Sequence, residues 1–215
     1  MSDNDCKKHH PYGPSRWPGL LACPGYAPEK GGDTEFRDRG TAVHLALETG
    51  DFSALREEDA EVAEWMAGEI FKLTQGLDAE SEVRTRIPLY GTLDLAPVGG
   101  VFGTCDKRWY TEDLSLHIAD YKTFSKIGMA DYRPQMCGYA LGSRRPLNDR
   151  VVFHILHGAS RQTETIETTW DECVAIAKQV AFAIARPDEP RRRSPHCDHC
   201  AHAGDCPESA KVVAF

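Results

Sequence analysis

The chain has 215 residues, 41% hydrophobic and 27% charged, with a formal net charge of −8. That is enough for one globular domain with a sizeable core, and no apolar run is long enough to cross a bilayer. The acidic balance argues against a broadly basic surface, but leaves room for local basic patches and for acids gathered around a metal.

Residues 1–14 read as a loose tail, with a Lys7-Lys8-His9-His10 run and then Gly13-Pro14. Ser15 is placed to cap a short helix through Leu20 and Leu21 that stops before Cys23-Pro24. Helices are predicted from about Glu35 to Thr49 and from about Ser53 to Thr74. The second carries an apolar stripe of Val62, Trp65, Met66, Ile70 and Leu73. The texture then turns to strands. Val83 to Tyr90 alternates, with Val83, Thr85, Ile87 and Leu89 on one side. Val101 to Tyr110 and Leu116 to Lys122 follow, joined by a Thr111-Glu112-Asp113 turn. Asp131 to Gly142 reads as a helix, Val151 to His157 as a buried strand, and Gln162 to Thr168 as its hairpin partner. Thr169-Trp170-Asp171-Glu172 fits a capping box opening a helix to about Ile184, closed by Arg186-Pro187. This order predicts one α/β domain over residues 15–190, a mixed central sheet flanked by helices. A segment rich in Pro, Arg, Cys and His follows over 191–215.

The chemistry concentrates between Gly103 and Lys122. Side chains two apart on a strand share a face, so Asp120 and Lys122 open into one pocket while Tyr121 points away. Pairing of the two strands brings Asp106 alongside Asp120. Carboxylates held together need a cation, and hard oxygen ligands select magnesium or manganese. With an ammonium beside them, these are the parts for phosphodiester hydrolysis. The bland alternative is a surface hairpin with solvated charges.

Gly103-Thr104-Cys105-Asp106 followed by Ile118-Ala119-Asp120-Tyr121-Lys122-Thr123 resembles the G-x-x-D…D-Y-K-T core of RecB-like PD-(D/E)xK nucleases. Gly40-Thr41-Ala42-Val43-His44 is similar to the family's early G-x-x-x-H, and Gln135-Met136-Cys137-Gly138-Tyr139 to its Q-x-x-x-Y motif. The resemblance implies a restriction-endonuclease-like core that cuts DNA to leave 5′-phosphate and 3′-hydroxyl ends. It assigns the metal to Asp106, Asp120 and the Tyr121 backbone carbonyl, assisted by His44. Lys122 serves the chemistry, with Gln135 and Tyr139 close by. Gly91-Thr92-Leu93-Asp94 also fits G-x-x-D, which makes Asp94 a competitor to Asp106; Glu82 stands as an accessory acid. The family points first to an exonuclease on linear or single-stranded DNA, of the phage-recombination, repair or CRISPR-adaptation kind, with proteins of those pathways as partners. An endonuclease and a non-catalytic DNA-binding module remain alternatives.

Eight cysteines are many for a chain read as cytoplasmic, where a reducing milieu favours metal binding over disulfides. Cys197-x2-Cys200-x5-Cys206 supplies three ligands around one centre. The resemblance, here to the iron–sulfur branch of the family, supplies Cys23 as the fourth, so that a [4Fe-4S] cluster staples the two ends of the chain. Zinc is the rival, with His196, His199 and His202 nearby. Cys105, Cys137 and Cys173 read as core residues. For DNA phosphates, Arg84, Arg86, Lys126 and Arg133 are the candidate contacts, with the Arg191-Arg192-Arg193 run either joining them or remaining a solvated tail. Tyr12, Trp17 and Tyr26 are the candidate stacking surfaces for unpaired bases.

Overall fold

The computed structural model describes residues 10, 12–27, 34–88, 101–128, 130–186 and 189–208. Leu89, Asp94, Cys6 and the side chain of His199 lie outside that description. A 3-10 turn, Pro14–Arg16, leads into α1 (Trp17–Ala22). Then come α2 (Thr34–Thr49), α3 (Glu57–Thr74), β1 (Glu80–Ile87), β2 (Val101–Tyr110) and β3 (Leu116–Lys122). The chain continues through α4 (Arg133–Leu141), β4 (Arg150–His157), β5 (Gln162–Thr169) and α5 (Trp170–Ala185) to a second 3-10 turn, Pro195–His199. The five strands lie side by side in chain order, antiparallel except for the β3–β4 pair, which is parallel. A parallel neighbour requires a crossover, and α4 supplies it. The mixed sheet flanked by helices expected from the sequence is the observed fold.

Strand alternation sorts the core into two layers. On one face Leu116, Ile118, Val151, Phe153 and Ile155 pack with Trp17, Met136, Cys137, Cys173 and Val180 of α1, α4 and α5. On the other, Ala119, Tyr121 and Leu156 pack with Val43, Ala63, Met66 and Ile70 of α2 and α3. Cys105, Cys137 and Cys173 are fully buried, as their reading as core residues expects. The capping box of α5 forms on both sides: Glu172 N donates to Thr169 Oγ1 at 3.2 Å, and Thr169 N to Glu172 Oε2 at 2.9 Å.

Three helix starts differ from expectation for local reasons. Ser53 opens no helix, because its amide donates to Asp51 Oδ1 at 3.0 Å; α3 starts at Glu57, where three acids occupy the first turn and complement the helix dipole. Asp131 lies just before α4 and its carboxylate takes the Arg133 amide at 2.9 Å. Ser15 falls inside a 3-10 turn, and α1 has no side-chain cap.

Trp109, His117 and His154 stack across β2, β3 and β4, with His117 Nδ1 3.0 Å from His154 Nε2. Burial, and then the neighbouring His117, push His154 down to about 4. The folded state thus takes up this proton less readily than the unfolded chain. Stability is full above the ordinary histidine range and is lost as pH falls toward 4, by up to about 3 kcal/mol from this group. Urea melts at pH 7 and pH 4.5 should show that loss, and His154→Phe, which keeps the stack, should shrink it. An equal drop in the variant would assign it to other groups.

Candidate active site

The site forms where β1, β2 and β3 lose their regularity together. Cys105 packs in the first core layer and Trp109 in the second, although an unbroken strand would put both on one face. β2 therefore turns its side chains over between them, while its register against β1 stays unbroken on both sides of that point. Across from it, Ser81 pairs with Lys107 and Val83 with Cys105, which leaves Glu82 facing Asp106. Glu82 itself has a φ of 47°, in the left-handed region that a glutamate rarely adopts. The β2–β3 ladder runs from Tyr110↔Leu116 to Lys107↔Ala119 and then opens. At the next position Asp106 Oδ2, not a backbone carbonyl, accepts the Tyr121 amide at 2.6 Å. Irregular strands of this kind re-aim side chains at functional sites.

Two groups of side chains meet there. In the first, His44, Glu82 and Asp106 each offer one ligand atom within 4.8 Å of the others, the sole such group among the described residues. α2 brings His44 in: Nδ1 lies 3.3 Å from Asp106 Oδ1 and Nε2 3.2 Å from the Tyr121 carbonyl oxygen. Burial alone would push this imidazole down. The hydrogen bond and charge of Asp106, aided by Asp120 and Glu82, outweigh it and raise His44 to about 9. Burial, with Asp106 second, lifts Glu82 to about 7. Carboxylates short of positive charge are what a divalent cation corrects.

In the second group, Asp120 and Lys122 project from β3 toward α4 as an ion pair, with Lys122 Nζ 2.6 Å from Asp120 Oδ2. No well-directed hydrogen bond reaches that oxygen. Gln135 braces both partners: it accepts from Lys122 Nζ at 3.1 Å and donates to Asp120 Oδ1 at 3.2 Å, and Tyr139 Oη stands 3.0 Å from its amide. Burial works against the charge on Lys122, but Asp120 outweighs it and raises the lysine. The Tyr132 ring lies 4.8 Å from Nζ. Beneath them, His157 pairs with Lys122 across the β3–β4 ladder. A buried relay runs from Ser125 Oγ to His157 Nδ1 at 2.7 Å and from His157 Nε2 to Glu164 at 3.1 Å. It pins the turn that follows Lys122.

His44, Asp106, Asp120, the Tyr121 carbonyl, Lys122, Gln135 and Tyr139 are thus brought to one end of the sheet. The grouping differs from the simplest expectation. Asp106 joins His44 and Glu82, while the Asp120 carboxylate is taken up by Lys122 and Gln135. Ser125, His157 and Tyr132 carry no sequence signal, since their roles arise only from the β3–β4 pairing. Arg84, Arg86, Lys126 and Arg133 are all exposed.

Separately from these groups, Cys23, Cys197, Cys200 and Cys206 line one cavity, with Tyr26, Arg191 and Arg192. Backbone amides point at the sulfurs, Arg192 N to Cys23 Sγ at 3.4 Å and Ser194 N to Cys197 Sγ at 3.3 Å. Ala201 N also donates to Ala27 O at 2.7 Å, tying the late segment to the early one. Of the proposed stacking residues, Trp17 is fully buried in the core and Tyr26 packs on His196.

The chain matches no protein-family model and no curated protein. Among solved structures, 15 chains are similar. One is a "putative exonuclease" from Eubacterium rectale, 12% identical, with a TM-score of 0.53 over 99% of this chain and 92% of that one. The chain shares that protein's fold. Another is a protein named SSO0001, 16% identical over 91% of this chain and 86% of that one. Its TM-score of 0.44 is too low to carry an argument.

Proposed function

We propose that the chain is a divalent-metal-dependent deoxyribonuclease. The observation that carries this reading is one shared location. A histidine–carboxylate group fit to hold a cation lies beside a buried carboxylate–lysine pair, where the sheet parts. His44, Glu82, Asp106 and the Tyr121 carbonyl would hold a magnesium or manganese ion, with Asp120 adjoining, and this oxygen-rich donor set suits either. Such an ion polarises a phosphate oxygen and readies water at neutral pH. Lys122, kept charged by Asp120, directs its ammonium at the oxygen where negative charge builds. Gln135 fixes both partners, and Tyr139 fixes Gln135. The exposed Arg84, Arg86, Lys126 and Arg133 are suited to phosphate contacts, with binding that weakens as salt rises.

Cys23 and the Cys197-x2-Cys200-x5-Cys206 run line one cavity, and that spacing, with the family resemblance, supports an iron–sulfur cluster over zinc. Cys23, Cys197, Cys200 and Cys206 would hold a [4Fe-4S] cluster in a structural role.

An exonuclease on linear or single-stranded DNA, acting in recombination, repair or CRISPR adaptation, is the form best matched by the sequence resemblance. The test is incubation with end-labelled linear duplex and with covalently closed circles, in manganese and in EDTA. Nucleotides released from the linear form alone, and only with manganese, are expected. Cutting of closed circles would make the enzyme an endonuclease, and no cutting of either would leave a DNA-binding module.

A further inference from the structure

Phe36 is 52% exposed, although it sits on the helix that carries His44. Phe36, Gly40 and His44 are spaced four apart, so they descend one side of α2. Phe124, two residues after Lys122, lies edge-on to Phe36 with ring centroids 5.3 Å apart and planes at 79°. The Phe124 ring lies beside Gly40 of the same helix, 3.9 Å from where a Cβ there would stand, so it rests against α2 at van der Waals distance. The guanidinium of Arg39 stands 5.0 Å from the Phe124 centroid and 5.9 Å from that of Phe36. Arg39 is itself anchored, with bonds to Asp59 at 2.7 and 3.0 Å and a contact to Glu58. The pair of rings is therefore held from behind by a fixed cation, with one ring turned outward.

We infer that Phe36, backed by Phe124 and Arg39, is a stacking platform for an unpaired nucleobase of the strand whose phosphate reaches the His44–Asp106 group. The inference rests on the nuclease reading and names how the substrate is gripped. Two helical turns separate Phe36 from His44, about 12 Å along the axis. Stacked nucleotides advance about 3.4 Å each, so the base received lies roughly three or four nucleotides from the scissile phosphate. The occupant is a base because an aromatic face beside a cation suits the π-face of any base, and Lys126, exposed two residues beyond Phe124, suits the phosphate next to it. A paired base inside a duplex offers no free face, so the platform selects single-stranded or frayed ends.

The test compares binding of oligothymidylate and of the same strand with abasic sugars, in calcium in place of manganese, for wild type, Phe36→Ala and Phe36→Trp. Wild type and Phe36→Trp should bind the base-bearing strand about tenfold more tightly than the abasic one. Phe36→Ala should bind both at the abasic level, with unchanged circular dichroism. Retained discrimination in Phe36→Ala, or none in a wild type that cuts linear DNA, overturns the platform and leaves the nuclease reading in place. A wild type that cuts no DNA overturns both.

Discussion

Replacing Lys122 by methionine should lower DNA cleavage by roughly 10²–10³-fold or more, the scale of losing one well-placed charge donor at a developing anion. Methionine keeps most of the stem's volume and removes only the ammonium that lies 2.6 Å from Asp120 Oδ2 and 3.1 Å from Gln135 Oε1. Asp120 is 3% exposed, so the variant leaves a buried carboxylate without its counter-charge. Breaking a buried pair in this way costs about 3 kcal/mol or more of stability. Manganese adjoining Asp120 should restore part of that loss, since a ligand that binds only the folded state stabilises it. Thermal melts with and without manganese, run beside end-labelled cleavage, check both halves. A variant that cuts at the wild-type rate would remove Lys122 from the chemistry.

The second large effect falls on stability. Cys23→Ala should abolish the broad visible absorption of anaerobically purified protein and lower its unfolding free energy by roughly 2–5 kcal/mol. The cluster would join residues 23 and 206, so its loss frees a closed loop that spans most of the chain. Cys105→Ala should keep the colour, because Cys105 is buried in the core and lines no part of the cysteine cavity. A colourless wild type holding stoichiometric zinc would overturn the cluster.

Most of the fold is legible in the residues. Period-two alternation marks β1 and β5, a β-branched apolar run marks the buried β4, and Thr169 with Glu172 marks the start of α5 by mutual capping. The acid–acid–lysine spacing locates the site because strand geometry alone puts Asp120 and Lys122 on one face. What stays hidden depends on departures from that geometry. The left-handed backbone at Glu82 and the face change of β2 beside it re-aim Glu82 and Asp106 toward His44, and neither leaves a trace in residue type. His157 reaches Ser125 only because β4 lies parallel to β3, a pairing set by the long crossover through α4. Phe124 reads as a turn residue until α2, many residues earlier in sequence, packs beside it.

The central proposition is that a divalent cation occupies the space among His44, Glu82 and Asp106. Electron paramagnetic resonance of manganese titrated into the protein without DNA tests this most directly. The wild type should deplete the free-ion signal stoichiometrically. Asp106→Asn, whose amide oxygen can still accept the Tyr121 amide, should leave that signal undiminished. A wild type that takes up no manganese, or an Asp106→Asn variant that takes it up equally well, would contradict the proposed metal centre.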